Sequence, residues 1–441
     1  MTDTKNISET RNAALVGLSL SRSNAKFEKS LKETEALAEA AGLSVSALFT
    51  QSLPKPNTGY YIGSGKIEEI KAYLAMTGTD LVIFESQLTP MQQRNLSNAF
   101  DCEVLDRTAL ILMIFADRAR TREATLQVDY ARLQYLLPRL AGMHDDLGRQ
   151  AGASGAMSNK GAGEKKIELD RRRIEQKMAE LRRALDEVDR ERATQRKARM
   201  RSGLSKVSLV GYTNAGKSTI LNGMLRLYGT DSDKQVFEKD MLFATLDTSV
   251  RRIDPGEGKK PFLLSDTVGF IDNLPTTLIK AFRSTLEETK YADLLLIVSD
   301  VSDPDYRENL SVTIRTLEEI GAGGIPRIYV FNKADRLTEP HGDFISVPGM
   351  APEDGRITMC AKSGEDIKKL CDLTGRHLSA GRTLCTLLIP YDKGGLLSAL
   401  MKDSDVTILS YADEGTKVEA HLKKEDVERL GRYVTTGTDP V

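Results

Sequence analysis

The sequence predicts an α/β multidomain protein. A nucleotide-binding α/β domain is preceded by a parallel α/β domain with an antiparallel two-helix arm and followed by a small α+β domain. Three observations carry this prediction. Short apolar runs alternate with amphipathic stretches through the first 110 residues and again from about residue 204, the pattern of a mostly parallel sheet covered by helices. Between these regions, two long stretches repeat apolar residues at spacings of four and three, the seam of paired helices. Gly211–Ser218 fits G-x-x-x-x-G-K-[ST] and lies between a strand-like and a helix-like run, the context that gives the motif meaning.

A chain of 441 residues exceeds one hydrophobic core. The expected divisions are 11–110, 111–203 with a Gly-rich tip at 141–163, 204–380 and 381–441. The 62 Lys and Arg residues balance 63 Asp and Glu, so nucleic-acid contact must come from local patches. The four cysteines include no C-x-x-C pair, which argues against disulfides and zinc and for a reducing, cytoplasmic setting. Met1–Asn6 is polar and lacks the apolar core of a signal peptide. The longest apolar run, Ala109–Ala116, is far below the roughly 20 residues of a membrane span. The four histidines lie far apart and suggest no metal site. A monomer is expected.

Taken in order, Ala13–Leu20 reads as a strand and Phe27–Ala41 as an amphipathic helix ended by Gly42. Leu81–Phe84 and Cys102–Leu105 read as strands, with a helix at Met91–Ala99 between them. The glycine loop within Tyr61–Glu69 fits neither nucleotide motif and reads as a tight turn before a helix. Leu126, Tyr130, Leu133, Leu137 and Leu140 form one apolar seam; Ile174, Met178, Leu181, Leu185 and Val188 form another. The second helix, Glu164–Arg201, carries fourteen Lys and Arg against nine Asp and Glu, densest at Arg171–Arg173 and Arg196–Arg201. Such a helix is either a solvated face with i,i+4 pairs or a contact for nucleic-acid phosphate. Between the helices, 141–163 holds six glycines and five alanines and cannot bury enough side chain to order itself. From Leu204 onward, strands are expected at Val207–Val210, Phe262–Ser265, Leu294–Val298, Ile328–Phe331 and Arg356–Met359, with an edge pair around Arg251–Ile253 and Pro261–Ser265 after the stretch Leu242–Val250, and a helix at Thr219–Leu227. The tail, Leu384–Val434, reads strand, helix, strand, strand, helix.

The chemistry lies in an ordered set of motifs. Backbone N–H groups of Gly211, Tyr212, Thr213, Asn214, Ala215 and Gly216, with the positive end of the helix through Thr219, can surround a phosphate chain. Lys217 reaches the outer phosphates and Ser218 holds Mg²⁺. Asp266-Thr267-Val268-Gly269 closes a strand; Asp266 is a second Mg²⁺ group, and the Gly269 N–H faces the terminal phosphate. Thr245 is expected to join Mg²⁺ when triphosphate is bound, with Thr248 as the alternative. Lys217, Thr245 and Gly269 are therefore the expected catalytic set, and Ser218, Thr245 and Asp266 the metal set. Asn332-Lys333-Ala334-Asp335 matches N-K-x-D. A carboxylate there pairs with two donors of guanine that adenine lacks, a discrimination of about 10⁴-fold or more. Cys360-Ala361-Lys362 is similar to the S-A-K loop that meets guanine O6, with Cys in place of Ser. Together these indicate a P-loop GTPase (Ras-like) domain using GTP as substrate. Phe270 stands where Ras-like enzymes place the Gln that orients water, so hydrolysis is expected to be slow until a partner assists. Asn214 resembles the residue with which some GTPases hold K⁺; a loop-stabilising side chain is the other reading.

With Tyr61–Glu69, Leu88–Leu96, Asp106–Thr108, Ile114–Glu123, Tyr135–Arg139, Gly211–Thr219, Phe243–Asp247 and Asp266–Phe270, the chain resembles the HflX-type GTPases of the translation-factor-related class along nearly its whole length. The resemblance implies a factor that binds the large ribosomal subunit and splits or rescues stalled or stressed ribosomes. It also implies ribosome-stimulated hydrolysis and contacts of the first domain and arm with ribosomal RNA. The alternative function is a GTP-controlled RNA-binding assembly or storage factor. The tip departs from the family pattern: Gly161, Gly163 and Glu164 are kept, but Ala162 replaces Pro.

Overall fold

The computed structural model describes residues 11–20, 24–143, 158–200, 204–229, 249–256, 259–267, 269–270, 288–337, 355–379, 383–403, 405–422 and 424–437. Among these, the chain divides into two compact units, the first reaching Val188 and the second running from Asp189 onward. No described helix is long and apolar enough to cross a membrane.

In the first unit, β1 (Arg11–Ser19), α1 (Asn24–Ala40), β2 (Leu43–Ser52), α2 (Ser64–Thr77), β3 (Leu81–Phe84), α3 (Pro90–Phe100) and β4 (Glu103–Asp106) alternate. The strands form an all-parallel sheet in the order β2-β1-β3-β4. β1 and β3 are central and buried on both faces, which explains their continuous apolar runs. β2 escaped the sequence reading. It is an edge strand whose burial alternates, and its register shifts beside Ala13 and Ala14. The glycine loop ends at Gly63, which caps α2.

The apolar run at Ala109–Ala116 lies in α4 (Arg107–Arg118), a helix buried along most of its surface. α5 (Arg122–Met143) and α6 (Ser158–Met200) form the arm. An Arg122–Glu187 ion pair of 3.4 Å places the start of α5 beside the later part of α6, as antiparallel helices require. Two expectations need correction here. The tip does not span 141–163: α5 continues to Met143 and α6 already begins at Ser158, so Gly161 and Gly163 are helical; residues 144–157 lie outside the described set. The deepest face of α5 is Ala124, Gln127, Val128 and Ala131; Leu126, Tyr130, Leu133 and Leu137 are half-buried. On α6, Leu181 and Val188 are buried, and Ile174, Met178 and Leu185 are half-buried, as the seam predicts.

The second unit contains a six-stranded sheet ordered β10-β9-β8-β5-β7-β6. Its members are β5 (Ser205–Gly211), β6 (Ser249–Ile253), β7 (Phe262–Asp266), β8 (Leu294–Asp300), β9 (Arg327–Asn332) and β10 (Gly355–Thr358). Every pairing is parallel except β6 with β7. Helices α7 (Lys217–Tyr228), α8 (Tyr306–Glu319) and α9 (Gly364–Ser379) complete this part. Ile220, Leu221 and Met224 of α7 join Ile367 and Leu370 of α9 in one core cluster; Leu310 and Leu317 of α8 join Leu295 and Ile297 of β8 in another. The edge pair expected around Arg251–Ile253 and Pro261–Ser265 is β6 with β7; of the preceding stretch Leu242–Val250, only Ser249 and Val250 fall within the described set, as the start of β6.

The tail folds as β11 (Thr383–Ile389), α10 (Gly394–Asp403), β12 (Asp405–Ala412), β13 (Gly415–Leu422) and α11 (Lys424–Leu430), then β14 (Val434–Gly437), which the sequence reading missed. The sheet is antiparallel, ordered β12-β13-β11-β14, over a core that includes Leu387, Leu400, Val418 and Leu430.

Candidate functional site: a nucleotide cradle at the carboxyl ends of parallel strands

The central strand β5 pairs with β7 on one side and β8 on the other. Residues at the carboxyl ends of β5, β7 and β9 therefore meet along one edge of the sheet, where open parallel sheets bind ligands. Gly211–Ser218, Asp266, Thr267 and Gly269, and Asn332–Asp335 all lie there.

The phosphate loop turns through two left-handed residues, Asn214 at φ 59° and Gly216 at φ 96°. At Gly216 any Cβ would stand 2.1 Å from Asn332 Nδ2, so only glycine fits. Asn is among the few other residue types that tolerate the left-handed region, which gives Asn214 a backbone role. The Asn214 side chain is exposed. Lys217 is buried, and its ammonium donates to the carbonyls of Gly211 (3.1 Å) and Tyr212 (2.8 Å). Burial draws its pKa down to about 8, against the pull of Asp266. Buried cationic and N–H groups on this loop match a ligand that brings its own negative charge. Thr213 Oγ1 is buried without a hydrogen-bond partner among the described residues, while its N–H donates to Phe270 O at 2.7 Å.

The Ser218 hydroxyl donates to Asp266 Oδ2 at 2.7 Å, and Asp266 is 0% exposed. Two hard oxygen donors side by side fit Mg²⁺, which prefers carboxylate, hydroxyl and water oxygens. Thr267 Oγ1 donates to Leu209 O and fixes the turn after β7. Gly269 packs against the phosphate loop; a Cβ there would lie 2.8 Å from Thr213 Cα and 3.0 Å from Lys217 Nζ. The structure thus brings Lys217, Ser218, Asp266 and Gly269 together. Thr245, Thr248 and Val268 lie outside the described residues.

Phe270 bonds to the loop through its backbone, with its N–H donating to Gly211 O at 3.0 Å. Its side chain is 1% exposed, in a cluster with Val210, Leu295, Ile297, Leu310 and Phe331. This position serves as a core residue and offers nothing polar toward the phosphates.

The base-side residues are joined by Asn332. It is 2% exposed; its Nδ2 donates to Ala215 O and its Oδ1 accepts from Ala361 N, both at 2.9 Å. One side chain thereby ties the phosphate loop to Cys360–Lys362. Lys333 adopts φ 63°, and its ammonium pairs with Asp300 at 2.8 Å. Asp335 is exposed in a short 3-10 turn. A hydrogen bond from the Cys360 thiol holds its carboxyl below the usual range, while burial pushes the Cys360 thiol up. Sequence reasoning missed Asp300, Ser363 and Asp366. Asp366 accepts from Cys360 N at 3.0 Å, and Ser363 Oγ accepts from Asp366 N at 3.3 Å at the start of α9. The Ser363-x-x-Asp366 spacing, a capping pattern, was the available signal.

On α6, Arg171, Arg172, Arg173 and Lys177 pair with Glu175, Glu168, Asp170 and Glu180 of the same helix. The densest triplet is locally compensated by exposed, exchangeable pairs. The side chains of Arg196–Arg201 lie outside the described residues.

Three family models match consecutive parts of the chain: "GTP-binding GTPase N-terminal" over residues 28–116, "GTP-binding GTPase Middle Region" over 118–199, and "50S ribosome-binding GTPase" over 206–333. Among curated proteins, GTPase HflX of Alkalihalophilus pseudofirmus is 39% identical over 428 residues, covering 93% of this chain and 96% of that protein. GTPase HflX of Escherichia coli (strain K12) is 39% identical over 375 residues, covering 85% and 84%. Among solved structures, a GTP-binding protein from the archaeon Sulfolobus solfataricus in complex with GDP is 23% identical, covers 82% of this chain and 99% of its own, and gives a TM-score of 0.44.

Proposed function

The chain belongs to the HflX family of GTPases, and from that premise we propose that it is a factor that binds the large ribosomal subunit and splits or rescues stalled or stressed ribosomes. Its own site is that of a GTP-hydrolysing enzyme. Loop N–H groups and Lys217 bind the phosphates, and the Asp335 carboxylate accepts from the guanine edge. The Ala361 N–H lies on the loop that meets guanine O6. Ser218 and Asp266, with Thr245 as the further expected group, would hold Mg²⁺, which when bound neutralises phosphate charge. Gly269 lets its turn lie against Thr213 and Lys217, and its N–H is the expected donor to the terminal phosphate.

The observation that carries ribosome dependence is the burial of Phe270 at 1% exposure. No side chain at that position orients water, so the missing element comes from the partner, and such elements add about 10³–10⁵ in rate. The test is GTP turnover by the purified chain with and without large ribosomal subunits. A low basal rate that rises clearly supports the proposal, and an unchanged rate overturns it. Sedimentation of whole ribosomes with GTP or a slowly hydrolysed analogue then separates functions. Splitting in a single turnover with the analogue assigns hydrolysis to recycling, whereas binding without splitting favours an assembly or storage factor. For Asn214 a K⁺ ligand and a loop-stabilising residue are the two readings; turnover that is equal in KCl and NaCl removes the first.

A further inference from the structure

In the phosphate loop, the Thr213 hydroxyl is buried and meets no hydrogen-bond partner among the described residues. Burying a polar group unpaired costs free energy, so folds keep few such groups, and each one asks for an explanation. The carbonyls of the two residues before it are already committed. Gly211 O accepts from Lys217 Nζ (3.1 Å) and from Phe270 N (3.0 Å), which uses both of its lone pairs. Tyr212 O accepts from Lys217 Nζ (2.8 Å) and from Ala215 N (3.4 Å). Phe270 O accepts from the N–H of Thr213 itself.

The loop has a base end and an outer end. Ala215 is tied through Asn332 to Ala361, on the base side. Thr213 is clamped to the opposite wall. Its N–H donates to Phe270 O at 2.7 Å, and a Cβ on Gly269 would stand 2.8 Å from Thr213 Cα and 2.9 Å from its methyl carbon. The same Cβ would stand 3.0 Å from Lys217 Nζ, so the Thr213 side chain, the Lys217 ammonium and Gly269 converge on one corner. The hydroxyl branches from the same carbon as the methyl, which places Oγ1 in that corner too. Burial does not separate it from a ligand: Thr213 and the phosphate-binding Lys217 are each 6% exposed.

We propose that the Thr213 hydroxyl donates a hydrogen bond to an oxygen of the terminal phosphate of GTP and so sets the preference of this chain for GTP over GDP. The proposal deepens the GTPase reading and rests on its assignment of Gly269 and Lys217 to that phosphate. A terminal phosphate brings charged oxygens, which make shorter and stronger hydrogen bonds than neutral acceptors. GDP ends one phosphate nearer the base and leaves Oγ1 without that acceptor. The bond is a binding contact, and no proton is transferred through it. A side chain kept only to pack against Gly269 would need the methyl alone, and valine would serve as well.

The test compares the full chain with Thr213→Val and Thr213→Ser by equilibrium titration with GDP and with a slowly hydrolysed GTP analogue. Thr213→Val should bind the analogue about tenfold or more weakly, as loss of a hydrogen bond to a charged acceptor does, and kcat/KM for GTP should fall in step. Its affinity for GDP should stay within about twofold, because GDP makes no bond to the hydroxyl. Thr213→Ser keeps the hydroxyl and should recover most of the lost analogue affinity. Thermal unfolding without nucleotide adds a second reading: Thr213→Val should unfold no lower than the unaltered chain, because valine leaves no donor buried. A valine variant that binds the analogue like the unaltered chain, or that loses GDP and analogue affinity alike, overturns the proposal. A valine variant that unfolds lower without nucleotide gives the hydroxyl a structural partner and overturns it too. A serine variant as weak as the valine variant assigns the effect to the methyl, with the same consequence. An unaltered chain that holds neither GDP nor the analogue overturns the nucleotide site itself.

Discussion

Two carboxylates end parallel strands in this molecule, Asp106 after β4 and Asp266 after β7, and both are 0% exposed. Their partners separate them. Asp106 accepts from the N–H groups of Ala109 (2.9 Å) and Leu88 (3.1 Å), from Tyr135 OH (3.0 Å) and from the Arg139 guanidinium. Burial pushes its carboxyl up while these donors pull it down. It is a structural node that ties α3, α4 and α5 to the sheet, and Arg139 also lies 3.6 Å over the Tyr135 ring. Asp266 accepts from Ser218, a hydroxyl that is itself an ion ligand by type, with the buried Lys217 close enough to feel its charge. Burial alone does not mark function. The distinguishing feature is whether the partner is one that a ligand can take over.

The largest expected effect is at the functional member's neighbour. Lys217→Ala should lower kcat/KM for GTP by about 10³-fold or more, as loss of a preorganised charge does, while thermal unfolding of the nucleotide-free chain moves little or upward. A marked loss of stability would make Lys217 a structural residue and erase the contrast. Next, Asp106→Ala should destabilise the first unit by about 3–5 kcal/mol, the usual result of leaving a buried ion partner alone. Thermal unfolding followed by circular dichroism would read this, with basal GTP turnover of the folded fraction preserved. Third, Asp335→Asn should weaken GTP binding by at least about 10²-fold, because the charge facing the guanine donors is gone; equilibrium titration with a fluorescent GTP analogue measures it.

A pH series sharpens the same comparison. In the free chain Lys217 loses its proton as pH rises through about 8. Bound phosphate favours the charged form and raises that value, so GTP affinity is full below pH 8, declines above it, and binding there takes up a proton. Calorimetry in two buffers of different ionisation heat detects the uptake. The smallest effect is at Cys360. A hydroxyl donates more strongly than a thiol, so Cys360→Ser should firm the bond to Asp335 and tighten GDP and GTP binding by roughly two- to fivefold, within the range of one hydrogen bond.

The phosphate loop, Asp266 and Asn332–Asp335 were legible in the sequence because each chemical demand fixes a residue type at a fixed place after a strand. Gly216 can only be glycine, and guanine demands an acid. Elements with one clear period were legible too. β2 was not, because an edge strand with half-buried faces writes a weak alternation, and α4 was not, because a helix buried nearly all round loses its polar face. The start of α6 at Ser158 was hidden by glycines that composition assigns to a loop. Phe270 was read correctly as lacking a polar group, but only packing reveals that it is a core residue. Asn332 was read only as the first residue of the N-K-x-D motif; its bonds to Ala215 and Ala361 needed two loops distant in sequence to be brought together.

The two hydrogen bonds of Asn332 couple the two halves of the nucleotide seat. The segment that meets the base and the loop that wraps the phosphates share one amide, with Ala215 on one side and Ala361 on the other. Slack introduced at either end is felt at the other, so the base-side loop Cys360–Lys362 and the phosphate loop are mechanically one seat, joined through a single amide.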